Sequence, residues 1–190
     1  MEAFLVSTGI VALGEIGDKT QLLALVLAAR FRQPAPIIAG IAVATLANHA
    51  LAAIMGGMIR AIVPPDLLQW IVAFAFFAVA LWALVPDKFE DEAPKETSRW
   101  GVFGITVAAF FATEMGDKTQ VATIVLAATY PSLPAVVLGT TLGMLIANVP
   151  VVLVGNAAAG RIPLKAIRIA AALVFVALGV YTLVAVDFAA

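Results

Sequence analysis

Apolar residues run along this chain in stretches long enough to cross a bilayer, and prolines punctuate them. A helical crossing takes about 20 residues, and proline disfavours helix at the residue before it. Residues 4–29, 36–59, 66–85, 101–129, 135–158 and 164–186 each meet that length. Pro34, Pro36, Pro64, Pro65, Pro86, Pro94, Pro131, Pro134 and Pro163 fall in the connections or at helix starts, where a missing N–H costs little. Pro150 alone lies inside a stretch. There it removes the hydrogen bond to the carbonyl of Ile146 and is expected to kink the fifth helix beside Asn148, leaving an acceptor free at membrane depth. The pattern predicts an all-α integral membrane protein with six transmembrane helices. One hydrophilic segment, 86–100, interrupts it with Asp87, Lys88, Glu90, Asp91, Glu92, Lys95, Glu96 and Arg99, and reads as a solvated loop between 1–85 and 101–190.

Composition sharpens this picture. Of 190 residues 63% are hydrophobic and 12% charged, with mean hydropathy +1.08, against about 25% charged in soluble domains. The first apolar stretch has no basic segment before it and no small-residue cleavage site after it, so it is expected to be retained. With no cysteine and one histidine, disulfides, thiolate nucleophiles and Cys/His zinc sites are excluded or nearly so, and with one unpaired histidine an enzyme is not expected. No prosthetic group is expected. The net charge of −1 gives no basic surface for nucleic acid, so the bilayer is the expected partner. Arg30, Arg32, Lys88, Lys95, Arg99, Arg161, Lys165 and Arg168 fall on one side of the six crossings and Arg60 on the other. The positive-inside rule then places the central loop in the cytoplasm and both termini outside. Trp70, Trp82, Trp100, Tyr130 and Tyr181 lie near the ends of crossings, as interfacial anchors do.

A second pattern is superimposed on the first. Glu15-Ile16-Gly17-Asp18-Lys19-Thr20-Gln21 returns as Glu114-Met115-Gly116-Asp117-Lys118-Thr119-Gln120, and a shift of 99 residues matches Glu15–Ala29 to Glu114–Ala128 at ten of fifteen positions. The shift also matches Gly40 to Gly139, Pro64 to Pro163 and Trp82 to Tyr181, while Asn48 and Asn148 pair after a one-residue adjustment. This is a duplicated three-helix unit. Three is odd, so the copies enter the membrane from opposite sides as two inverted repeats. Secondary transporters are commonly built this way, with the site near the midplane between the repeats.

Charges at that depth are expensive and point to function. On a continuous helix Glu15 and Asp18 would share a face, as would Glu114 and Asp117. Four converging carboxylates repel one another unless something positive sits among them, and a hard divalent cation or protons would serve. An oxygen-only set suits Ca²⁺, Mg²⁺ or Mn²⁺ over softer metals. Thr20, Gln21, Thr119 and Gln120 offer further oxygens, and Asn48 and Asn148 can contribute from the second and fifth helices. Gly17 and Gly116 allow either close helix approach or a local break. Lys19 and Lys118 balance charge in an empty site; alternatively, Lys–carboxylate pairs simply hold the helices together. His49, beside Asn48, could relay protons, though its counterpart under the adjusted alignment is Val149. Gly139 and Gly143, with Gly56 and Gly57, read as packing positions, and the five methionines are scattered.

At the duplicated motif the chain resembles the Gdt-type membrane proteins of bacteria, chloroplasts and the Golgi, whose mark is a repeated Glu-x-Gly-Asp-(Lys/Arg)-(Thr/Ser). The likeness covers essentially the whole chain, and both copies match at every defined position. It implies cation/proton exchange of Mn²⁺ and Ca²⁺, with manganese export in bacteria. It also implies cation binding by Glu15, Asp18, Glu114 and Asp117, supported by Thr20, Gln21, Thr119 and Gln120. Without a long N-terminal extension, a bacterial inner-membrane member is the expectation. The expected function is therefore an alternating-access antiporter that exports Mn²⁺ or Ca²⁺ against protons by rocking one three-helix unit against the other. A passive divalent-cation channel and an exporter of small organic solutes are the alternatives.

Overall fold

A computed structural model describes residues 1–85, 101–154, 164–186 and 188. The central loop 86–100 with Trp100, and Arg161, Pro163 and the end of the fifth stretch, lie outside the described residues. Those described form eight helices: α1 Glu2–Glu15, α2 Lys19–Phe31, α3 Pro34–Ile62, α4 Pro65–Ala83, α5 Gly101–Glu114, α6 Lys118–Thr129, α7 Leu133–Val154 and α8 Leu164–Ala185. Four helices, Pro34–Ile62, Pro65–Ala83, Leu133–Val154 and Lys165–Ala185, are long and apolar enough to cross a membrane, and Gly101–Glu114 is a shorter apolar one.

Residues 4–29 and 101–129, expected as single crossings, are each two helices. The interruption falls at the duplicated motif and glycine causes it. Gly17 has φ 81° and Gly116 φ 76°, left-handed values that stop the α-helical ladder. The Asp18 N–H then bonds the Glu15 carbonyl at 3.1 Å and the Asp117 N–H bonds the Glu114 carbonyl at 3.2 Å, each closing the chain in a tight turn. Asp18 and Asp117, with extended backbones, become the N-cap residues of α2 and α6.

Small residues let the helices approach closely. A Cβ on Gly40 would meet the Thr106 side chain at 2.7 Å, and one on Gly139 would meet the Phe4 carbonyl at 2.5 Å, so α3 crosses α5 as α7 crosses α1. Gly143 lies as close to the Thr8 carbonyl and Gly56 to α6, which is the packing role read from the sequence. The resulting arrangement is interleaved. The long second helix of each half packs chiefly over the broken pair of the other half, α3 on α5 and α6, α7 on α1 and α2, and α3 also packs on α7. Antiparallel α4 and α8 form a separate pair, with Phe76 against Phe175 and the Gln69 amide donating to the Thr182 and Leu183 carbonyls at 3.0 and 3.1 Å.

The helix ends are tied as well. Arg60 of α3 donates to the carbonyls of Ala128 and Thr129, at 3.4 and 2.7 Å, and so caps the end of α6 across the half boundary. Pro34 sits in the first turn of α3, where its missing N–H has no helical partner to lose.

Candidate cation site

Both breaks converge. Each places a carboxylate at the last residue of one helix, Glu15 or Glu114, and another at the N-cap of the next, Asp18 or Asp117. All four are buried, at 0–2% exposure. They converge through the breaks rather than through the shared helix face expected from i, i+3 spacing. Helix N-termini at Lys19 and Lys118 bring positive dipole ends to the same place, and the ends of α1 and α5 bring carbonyls.

Three of the four carboxylates form a tight group: oxygens of Glu15, Glu114 and Asp117 all lie within 4.8 Å of one another. The lysines act across the halves. Lys19 Nζ stands 3.1 Å from Asp117 Oδ1, and Lys118 Nζ 3.1 Å from Asp18 Oδ1. The two pairs differ in setting. The Lys19 side chain is 24% exposed, whereas Lys118 is 7% and Asp18 0% exposed.

The threonines break the symmetry further. Thr20 Oγ1 donates to Glu15 Oε2 at 2.5 Å, and Thr119 Oγ1, from the other half, donates to Glu15 Oε1. Glu15 thus takes both hydroxyls. Neither oxygen of Glu114 has a hydrogen-bond partner among the described residues, nor has Asp117 Oδ2. An ionised carboxylate can accept about four hydrogen bonds, so Glu114 is the group with the most unmet demand. A residual cavity of about 10 Å³ borders Lys118 and Thr119, about the space of one water at most. The site is closed.

Gln21 and Gln120 brace the breaks. Their side-chain oxygens accept from the N–H groups of Gly17 and Gly116 at 2.9 and 2.7 Å, satisfying donors that the interruption orphans. Their amide nitrogens reach across, Gln120 to Asn48 Oδ1 at 2.9 Å and Gln21 to the Ala147 carbonyl at 3.0 Å. These equivalent bonds equate Asn48 with Ala147, which is the plain shift of 99 without adjustment. The counterpart of His49 is therefore Asn148 and not Val149. Ala147 has no polar side chain to betray this role, and Pro150 frees the carbonyl of the neighbouring Ile146 rather than that of Ala147. Asn148 Nδ2 donates to the Met144 carbonyl at 3.1 Å, while its Oδ1 and both ring nitrogens of His49 are buried without a partner among the described residues.

The glycines give a direct test. Nothing within 4 Å opposes a Cβ on Gly116, so Gly116→Ala costs only the left-handed backbone, about 1–2 kcal/mol. Gly116→Asn, which tolerates that region, should lose less. The measurement is the unfolding midpoint in detergent; an alanine variant as stable as wild type would mean that the break does not depend on glycine.

The family model described as divalent cation/proton antiporter GDT1 matches residues 3–91 and 102–188, a stretch in each half. A protein of Vibrio cholerae serotype O1 named "Putative manganese exporter" is 52% identical over 169 residues, 88% of this chain and 84% of its own length. A GDT1-like protein of Synechocystis is 28% identical over 195 residues, 92% and 93% of the two chains. GDT1-like protein 5 of Arabidopsis thaliana is 26% identical over 220 residues, 96% of each. No solved structure matches the chain.

Proposed function

The chain belongs to the GDT1 family of divalent cation/proton antiporters, and from that premise we propose that it exports Mn²⁺, with Ca²⁺ as second cargo, in exchange for protons. The observation that carries the reading is the buried group of Glu15, Glu114 and Asp117, with oxygens within 4.8 Å of one another. Three carboxylates so close suit a hard cation that prefers oxygen. They also suit protons, which neutralise the same oxygens. Cation and protons then exclude each other at one site, which is the thermodynamic requirement for exchange.

In this reading α1–α2 and α5–α6 are each one interrupted crossing. With α3, α4, α7 and α8 they make six crossings in two inverted repeats, 1–85 and 101–190, joined by a cytoplasmic loop at 86–100. The protein sits in the bacterial inner membrane, with the end bearing Arg30, Arg32, Lys165 and Arg168 in the cytoplasm and both termini outside.

The interleaved packing changes what moves. Rocking one sequence half against the other would strip α3 from α5 and α6 and α7 from α1 and α2. A unit of α1, α2 and α7 moving against α5, α6 and α3 keeps the larger contacts intact. The unequal sharing of hydroxyls gives the two states a local identity. With Thr20 and Thr119 on Glu15, the cation meets Glu114 and Asp117 together with Glu15. In the opposite state the repeats exchange roles, the hydroxyls pass to Glu114, and Asp18 replaces Asp117 as ligand. Lys118 and Lys19 balance whichever aspartate stands aside. Gln21, Gln120, Asn48 and Asn148 support the site from behind the breaks.

Inside-out vesicles with an acid interior test this. Mn²⁺ uptake should collapse when the pH gradient is dissipated and be lost in Glu15→Gln. Uptake indifferent to the gradient would replace the antiporter by a channel, and no uptake of Mn²⁺ or Ca²⁺ would turn attention to organic solutes.

A further inference from the structure

The α4–α8 pair carries a feature that exchange does not use. Between the two helices runs a groove of about 430 Å³, open to the side and lined by apolar atoms. Its floor is formed by the small residues Ala80 and Ala172, at 4% and 7% exposure, and its walls are the exposed Leu81, Leu84, Ile169 and Leu173. Along α8 it extends from Ile169 to Val176, two turns or about 10 Å. A straight slot with small residues below and branched side chains on either bank has the shape of an extended hydrocarbon chain.

Charge marks one end of it. Lys165 and Arg168 precede Ile169 and Ala172 by four residues each, so each stands one turn beyond a lining residue on the same face of α8. Neither has an ion-pair partner among the described residues. The N-terminus of α8 adds its positive dipole end there. Antiparallel pairing brings the end of α4 to this same place. Described residues of α4 and α8 near the mouth include no aspartate or glutamate.

We infer that this groove binds an anionic phospholipid, with one acyl chain in the slot and the phosphate on Lys165 and Arg168. A zwitterionic lipid offers the same chain, but its ammonium group would stand beside two cations. Charge therefore selects within the lipid class. The acidic residues Asp87, Glu90, Asp91, Glu92 and Glu96 follow α4 in sequence and lie outside the described residues, so the test below includes them.

The full chain in detergent, offered phosphatidylglycerol and phosphatidylcholine of matched acyl chains, tests the site by native mass spectrometry. One phosphatidylglycerol should be retained with a preference of about 30-fold, from two basic contacts. The preference should fall below about threefold in Lys165→Gln/Arg168→Gln. Ala172→Trp, which fills the slot while leaving both cations, should release the lipid, with an unfolding midpoint confirming that each variant is folded. Equal retention of the two lipids, an unchanged preference in the double variant, or retention in Ala172→Trp would overturn the proposal. So would retention that appears only after the five acidic residues are made amides, which would make the loop the occupant, or a dimer that Ala172→Trp dissociates, which would make it a second copy of the chain.

Discussion

Glu114→Gln should abolish Mn²⁺ exchange, lowering uptake at least about 100-fold, while leaving the protein at least as stable as wild type. The two halves of this expectation share a cause. Glu114 is fully buried, stands within the group formed with Glu15 and Asp117, and has no hydrogen-bond partner for either oxygen among the described residues. In the empty site a charge on Glu114 would be repelled by its neighbours, so a neutral amide of the same shape costs the fold nothing. In the proposed loaded site that charge would meet the cation, so the amide would remove a ligand and a proton acceptor at once. Uptake in proteoliposomes and an unfolding midpoint in detergent measure both. Loss of uptake with a large fall in midpoint would instead make Glu114 a structural residue, and uptake within about threefold of wild type would remove it from the site.

Glu15 offers the contrast, because the same substitution there should cost stability as well as uptake. Its oxygens accept from Thr20 and Thr119, and an amide can accept at only one of those positions. Competition also fixes the direction of the pH response. In the proposed exchange protons compete for the carboxylates that the cation needs, so the apparent KM for Mn²⁺ on the loading side should rise as pH falls.

The repeated motif was legible in the sequence because it sets charge against a strongly apolar background, and the long apolar helices α3, α4, α7 and α8 were legible because the prolines, Pro150 excepted, stand in connections or at helix starts. Other features were not, for reasons that lie in the residues concerned. Gly17 and Gly116 are equally at home in a close helix crossing and in a left-handed turn; the choice depends on what packs around them. The Ala147 carbonyl receives Gln21, yet every residue has a carbonyl, so composition carries no trace of it. The one-residue adjustment that paired Asn48 with Asn148 followed side-chain likeness, whereas the fold matches a side-chain oxygen to a backbone one. Interleaving of α3 and α7 over opposite halves is tertiary, and the glycines that permit it show only that something comes close.

The two lysines carry the sharpest asymmetry, and Lys118→Met should destabilise the protein by about 3–5 kcal/mol, well beyond Lys19→Met. Sequence gives no reason for a difference, since both lysines follow Gly-Asp in identical heptad positions. Burial gives one. Lys118 and Asp18 face each other at 3.1 Å with side chains 7% and 0% exposed, so removing the ammonium leaves a carboxylate in a low-dielectric interior without the cation opposite it. Lys19 is 24% exposed, and solvent screening reduces the corresponding loss to about 1–2 kcal/mol. Most of the cost in Lys118→Met is the stranded charge of Asp18 rather than the bond itself. Adding Asp18→Asn to Lys118→Met should therefore recover most of the lost stability, although it removes a further member of the motif. Chemical unfolding of the four members of each double-mutant cycle gives both coupling energies on one scale. Equal losses at Lys19 and Lys118 would mean that the pairs are equivalent in solution, and a double variant no more stable than Lys118→Met would mean that Asp18 is held by something other than its charge.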